Sequence, residues 1–328
     1  MGSPTPRDRF QVLALLWPLA AAALWGGMYV VSKVSFASLP PLTLGFLRLL
    51  IGGLALSAGL WLTGGPAPWR LRHPRLPLLG LILALTLATQ FWGTDLATAA
   101  YGAVLTSTTP LFLVLLAWLL LGEALTGRTL LALLLGTAGL LVVLSPTLAA
   151  PAAGWPFLLG SLLLLLAAAF WALYSVLGKP LVEADGALPV TAAAVLWSLP
   201  FMAPAVPFEL LGRPPAPLTL AAVVNLLYLG LGATALAWWL WYKGLERLPA
   251  RVVALTFFAQ PVVGIFLSGL LLGEPLGPGF WLGSAAILVA VGLATLTPGR
   301  PPAIDSAPSR LKNEAQPVAE RRQQWTSD

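Results

Sequence analysis

Thr109-Pro110-Leu111 leads, within one apolar run, to Leu119-Leu120-Leu121-Gly122-Glu123, and Gln260-Pro261-Val262 leads in the same way to Leu270-Leu271-Leu272-Gly273-Glu274. The step from proline to glutamate is 13 residues in both. Apolar filler recurs by chance, but a fixed Pro-to-Gly-Glu step is much harder to dismiss. A second pair agrees with the first. Ala22-Ala23-Leu24-Trp25 runs on to Lys33 as Ala168-Ala169-Phe170-Trp171 runs on to Lys179, with the same Trp-to-Lys step. The chain therefore reads as two related halves.

Composition says what the halves are made of. Of 328 residues, 58% are hydrophobic and only 9% charged, and the mean hydropathy is +0.87. A soluble domain carries about 25% charged residues, so this chain cannot cover a globular surface in water. Disorder is excluded by the same apolar excess. The class left is a polytopic membrane protein. Runs such as Leu158 to Ala169 show no alternation of polarity, so helices rather than barrel strands are expected. Turn formers at Leu39-Pro40-Pro41, Thr63-Gly64-Gly65-Pro66, Ser145-Pro146, Gly186 with Pro189, Arg213-Pro214-Pro215 and Leu276-Gly277-Pro278 divide the chain into ten spans. These are 11–32, 41–63, 76–95, 99–121, 127–144, 155–178, 187–208, 218–241, 250–272 and 278–297. The first is too long for a cleaved signal peptide and is expected to stay. Residues 1–10 read as a cytoplasmic N-terminus, 11–144 and 155–297 as the two five-helix repeats, and 298–328 as a disordered cytoplasmic tail.

Charge placement sets the direction. With the N-terminus inside, 15 of the 18 Lys and Arg fall in inner segments, Lys33 and Arg213 fall outside, and Arg48 lies within the second span. Both termini are then cytoplasmic in a multi-pass cytoplasmic-membrane protein. Five spans per half make the second half enter from the opposite face. The expected fold is thus all-α, ten transmembrane helices arranged as two inverted five-helix repeats, an architecture of secondary transporters.

The Trp-Gly start of the first span, Arg48 after the Pro-Pro loop and the twin Pro…Leu-Leu-Leu-Gly-Glu segments resemble the EamA family of the drug/metabolite transporter superfamily. The resemblance covers residues 11–297. It implies a ten-helix bundle of inverted repeats and passage of small metabolites such as amino acids.

Candidate site residues follow from the cost of polar groups in lipid. Pro110 and Pro261 lie about 20 Å from the helix-end glutamates, where a proline frees a carbonyl and kinks the helix. Thr109 and Gln260 sit beside them. Arg48, about 10 Å below the outer surface, is an intramembrane cation. It can meet a substrate carboxylate, pair with Asp95, or snorkel. Gln90, Asn225, Tyr29, Tyr101 and Tyr174 each need a partner on a helix or a ligand, and Trp25 and Trp171 match between halves. Lys33 and Lys179 read as interface anchors, Glu123 and Glu274 as helix-end caps, and Trp238, Trp239, Trp241 and Tyr242 as an interfacial belt.

Absences narrow the function. There is no cysteine, one histidine (His73) and no Asp or Glu in the middle of any span. A membrane-embedded lipid-modifying enzyme is the remote alternative: it would need a nucleophile, metal ligands or paired acids facing each other, which one histidine, no cysteine and no mid-span acid do not favour, and no catalytic residue, metal or cofactor is expected. The basic balance is a topology signal and does not imply nucleic acid. The expected function is alternating-access transport of small metabolites, amino acids or related compounds, by export or facilitated diffusion, with a broad toxic-compound exporter as the alternative. The partners are the metabolite and the bilayer, and a monomer is the working expectation.

Overall fold

The computed structural model describes residues 13–295, apart from 66, 69, 70, 72, 98, 149–153 and 273–276. Everything with regular structure among these residues is helical. In chain order the helices are α1 (Leu16–Gly26), α2 (Met28–Ser35), α3 (Pro41–Leu62), α4 (Leu76–Leu96), α5 (Ala99–Thr106), α6 (Thr109–Leu121), α7 (Gly127–Leu148) and α8 (Trp155–Asp185). There follow α9 (Ala187–Met202), α10 (Ala205–Gly212), α11 (Leu220–Leu227), a π-helical segment (Tyr228–Leu236), α12 (Ala237–Arg247), α13 (Ala250–Thr256), α14 (Ala259–Leu272) and α15 (Pro278–Thr295).

Five stretches are long and apolar enough to cross a bilayer: Pro41–Leu62, Leu76–Leu96, Gly102–Leu121, Trp155–Asp185 and Leu220–Arg247. A sixth is α9 with α10, bent by 52° at Ala203 and Pro204. Shorter apolar helices include Gly127–Val143, Ala250–Phe266 and Pro278–Leu293. The protein is a multi-pass membrane protein. Leu54, Trp61, Leu134, Trp155, Leu162, Trp281 and Leu288 lie on its exposed surface, where lipid is the fitting solvent.

Both expected proline breaks are present. α5 stops at Thr106 and α6 begins at Thr109, with Pro110 in its first turn; α13 stops at Thr256 and α14 begins at Ala259, with Pro261 likewise in its first turn. Proline has no N–H to give to the preceding turn, and Thr106, Thr108, Thr109 and Thr256 turn their hydroxyls onto carbonyls of those turns instead. The first span is also broken, at Gly27. Three spans run further than the sequence suggests: α7 to Leu148, through the Ser145-Pro146 expected to be a turn, α8 to Asp185 and α12 to Arg247. The sequence did not announce the π-helical segment.

The Gly-Glu turn has a mechanical reason. Gly122 takes a left-handed conformation (φ 66°) that ends α6 and seats the Gly122 and Glu123 amides on the Ala117 carbonyl. The Glu123 carboxylate is thereby turned toward α13, where it accepts from the Ala250 and Arg251 amides at 2.7 and 3.1 Å. This is the helix-end cap expected of Glu123. Glu274, the N-terminal ten residues and the tail lie outside the described residues.

Helices cross closely where glycine permits. A Cβ on Gly264 would stand 2.7 Å from the Gly26 carbonyl oxygen, so α1 and α14 touch backbone to backbone. That crossing carries Trp25 and Gln260 to the centre of the bundle.

Candidate functional site

Each end of the bundle is fastened by a lysine, and in neither case does the ammonium snorkel outward. Lys33 reaches from α2 to the C-terminal end of α4 and donates to the carbonyls of Thr94, Asp95 and Ala97 at 3.0, 2.7 and 3.1 Å. Lys179 reaches from α8 to the C-terminal end of α12 and donates to Leu245 and Leu248 at 2.7 and 2.9 Å, pairing also with Glu183 at 2.7 Å. Thr94 and Leu245, like Ala97 and Leu248, stand in the register that relates Pro110 to Pro261. A free ammonium has three donors, and the unpaired carbonyls of a helix end are its natural acceptors.

Other polar contacts cluster at the same two ends. Near Lys33, Arg213 pairs with Asp95 at 2.8 Å and donates to the Phe36 carbonyl at 2.9 Å. The Glu209 carboxylate there caps α3 through the amides of Leu42 and Thr43 and the Thr43 hydroxyl. Near Lys179 lie Glu123 with Arg251, and Glu246, which accepts from the Ala187 amide at 3.2 Å.

Between the ends is a cavity of about 30 Å³, which has room for about two waters. Trp25, Tyr29, Arg48, Gln90, Thr109, Trp171 and Gln260 line it, together with Met28, Thr86, Thr106, Trp238 and Phe257. The structure thus brings seven of the candidate residues to one place. Pro110 and Pro261 are buried in the first turns beside it. Tyr174 lies toward Lys179, stacked on Tyr242 with ring centres 5.0 Å apart. Asn225 is half-buried in α11 and does not line the cavity. The Tyr101 side chain is not among those described.

Arg48 is fully buried. Of the three roles open to Arg48, pairing with Asp95 is not the one seen, because Asp95 pairs with Arg213. Three contacts hold the guanidinium: Nε donates to Thr234 Oγ1 at 2.7 Å, Nη2 to the Ala233 carbonyl at 3.0 Å, and Nη1 to Met28 Sδ at 3.2 Å. Phe91 and Trp238 stand over it, with ring centres 5.4 and 5.6 Å away. The π-helical segment makes this seat. Its wide turn lets Thr234 donate to Leu229, five residues back, at 2.7 Å. The Ala233 carbonyl also accepts from Trp25 Nε1 at 2.9 Å.

Toward Lys33 the cavity is bounded by a hydroxyl-amide chain. Gln90 Nε2 donates to Tyr29 OH at 2.7 Å, and Tyr29 OH donates to Thr106 Oγ1 at 2.6 Å. Toward Lys179 it is bounded by aromatics. Trp241 and Tyr242 are fully buried, Trp238 nearly so, and Trp241 donates to Ser175 at 2.9 Å. The belt expected of these residues is overturned for Trp238, Trp241 and Tyr242. Their amphipathic look comes from Lys243, Glu246 and Arg247 just beyond them, and their rings face inward. Two buried polar atoms at the cavity have no partner: Gln260 Oε1 and Trp171 Nε1. Among the described residues, no group of acids, histidines or cysteines is placed to hold a metal.

Thr234 and Trp238 were missed as site residues. A lone threonine inside Gly230–Leu236 was the available signal.

The sequence profile of the EamA-like transporter family matches residues 12–145 and again 158–296. The uncharacterized transporter YetK of Bacillus subtilis (strain 168) is 28% identical over 294 residues, 88% of each chain. A probable amino-acid metabolite efflux pump of Escherichia coli (strain K12) is 28% identical over 300 residues, 86% of this chain and 92% of its own. A solved crystal structure superposes with a TM-score of 0.74 at 24% identity, covering 87% of this chain and 97% of its own, which supports the fold alone. Transport, and not catalysis, is what this family does, and the chain belongs to the EamA-like transporter family.

Proposed function

We propose that the central cavity is the substrate site of an alternating-access transporter that moves small metabolites, amino acids or related compounds, across the cytoplasmic membrane. In this reading ten spans form two five-helix halves, 11–144 and 155–297, inserted in opposite directions with both termini in the cytoplasm. One observation carries it: the cavity lies between two lysine-carbonyl clasps, Lys33 on α4 and Lys179 on α12, that occupy matching positions in the two halves. Such clasps can open one at a time, exposing the same cavity to either side. The double match of the family profile and the relatives named as amino-acid metabolite efflux pumps support the reading. Export and facilitated diffusion both fit, and a fixed buried cation weighs against the broad exporter of cationic compounds.

The test is flux into proteoliposomes of a labelled amino-acid panel, with and without a pH gradient. Gln260→Ala and Thr109→Val are expected to lower flux at unchanged expression, with about tenfold loss for the first, since both groups line the cavity. Unchanged flux in both variants removes the cavity from the transport path.

A further inference from the structure

The charge of the cavity lining is a property of this chain that the family assignment does not supply. Arg48 is its one charged group, and no Asp or Glu lines the cavity among the described residues. A guanidinium has five N–H donors. Three have partners in Thr234, Ala233 and Met28, and all three partners are neutral. Two N–H groups are left without a protein partner, and the positive charge faces no acid, only the Phe91 and Trp238 rings. A buried charge of this kind is costly until an opposite charge meets it. The second unpaired donor, Trp171 Nε1, makes the same demand for an acceptor. The buried acceptor left open at the cavity is Gln260 Oε1, a neutral amide oxygen. An ammonium placed here meets no carboxylate and is repelled by Arg48. The lining also carries the rings of Trp25, Trp171, Trp238 and Phe257, beside the apolar Met28, Leu87, Ala167 and Ala168.

We infer that the cavity selects monoanionic carboxylates with an aromatic or apolar body, and discriminates against the zwitterion of the same body. The inference rests on the cavity being the transport site and narrows what that site accepts. The carboxylate would take the two open Arg48 N–H groups in the forked geometry suited to it, with Trp171 Nε1 as a further donor and the ring among the aromatics. A free amino acid brings the same carboxylate together with an ammonium that the lining cannot neutralise.

Three probes share one ring and differ in charge: 3-phenylpropanoate, L-phenylalanine and 2-phenylethylamine. Their competition against labelled 3-phenylpropanoate is measured on the full-length protein in nanodiscs. The anion is expected to bind saturably and about tenfold or more tighter than the zwitterion, with the amine not competing, as charge repulsion at low effective dielectric requires. Arg48→Gln is expected to erase the preference and Arg48→Lys to keep part of it. Trp171→Phe, which removes only the N–H donor and keeps a ring, is expected to weaken the anion severalfold more than the zwitterion, and gives the answer if Arg48→Gln fails to fold. Equal or tighter binding of phenylalanine that still depends on Arg48 overturns the charge selection and leaves the cavity as the site. Anion binding indifferent to Arg48 and Trp171 overturns both. Absence of saturable anion binding, in protein that carries amino-acid flux sensitive to Gln260→Ala, overturns the charge selection alone.

Discussion

Arg48 shows what one residue can and cannot tell. Its presence inside an apolar span marks it as functional or paired, and burial with neutral partners agrees. Its neighbours were not legible, because sequence alone does not say which helix lies opposite. Asp95, the nearest acid by depth, turned out to belong to Arg213, and the true partner, Thr234, stands 186 residues away. Gln260, Tyr29, Gln90 and Thr109 were legible for one physical reason: amides and hydroxyls in lipid must find company. Tyr29, Gln90 and Thr106 find it in one another, whereas Gln260 leaves its oxygen open. The role of Thr234 can be tested by subtraction. Thr234→Val keeps the shape and removes the oxygen that accepts from Arg48 Nε, leaving a buried charged donor without its acceptor. A loss of about 1.5–3 kcal/mol in stability is expected, read as a lower midpoint of thermal unfolding in detergent. Thr234→Ser is expected to restore most of it. Equal midpoints for Thr234→Val and the parent would mean that Arg48 is held by the Ala233 carbonyl and the rings alone.

Among the elements, the broken helices were readable and the π-helical segment was not. Proline removes a specific hydrogen bond, so Pro110 and Pro261 announce where α5 gives way to α6 and α13 to α14. The π-helical segment has no such marker, since Tyr228–Leu236 is apolar and glycine-rich like its surroundings and its extra residue per turn is set by packing. Glycine lets helices approach closely, but which glycine faces which is not written in the sequence. Gly26 and Gly264 prove to be the pair that brings α1 against α14. A methyl at Gly264 would sit 2.7 Å from the Gly26 carbonyl oxygen, with backbone on both sides and nothing flexible to yield. Gly264→Ala is therefore expected to push α1 from α14, to cost about 1–3 kcal/mol as an overpacking substitution, and to lower flux by displacing Trp25 from Gln260. Thermal unfolding and flux in the same preparation check it. The control is Gly59→Ala on α3, where a methyl meets nothing within 4 Å and neither quantity is expected to change. A Gly264→Ala protein indistinguishable from the parent in both would show that the crossing relaxes freely.

At the scale of the whole molecule, the proposed opposite insertion of the halves is a statement about sides, and the chain is well suited to a test of sides. Its sequence has no cysteine, so a single introduced thiol reports without a background. The sidedness was drawn from Lys and Arg placement, a thermodynamic and kinetic bias of insertion, while the structure contributes where each end's residues gather. Ala37 is exposed at the end held by Lys33, and Ala124 is exposed at the end held by Lys179, one residue beyond the glutamate that caps α13. With the N-terminus inside, Ala37→Cys is expected to react with a membrane-impermeant maleimide in intact cells, and Ala124→Cys only after the membrane is opened. Equal labelling of both in intact cells, or the reverse order, removes the proposed orientation. The same thiols also read the clasps. Lys179→Met deletes the donor to Leu245 and Leu248 and leaves those carbonyls to water. If the clasp holds that end shut, a cysteine placed at Thr109, in the cavity wall, becomes reactive from the Ala124 side in the Lys179→Met background. It stays protected from the Ala37 side, where Lys33 and the Tyr29–Gln90–Thr106 chain remain closed. Reactivity gained from the Ala37 side, or from both, would mean that the two ends do not open independently about this cavity.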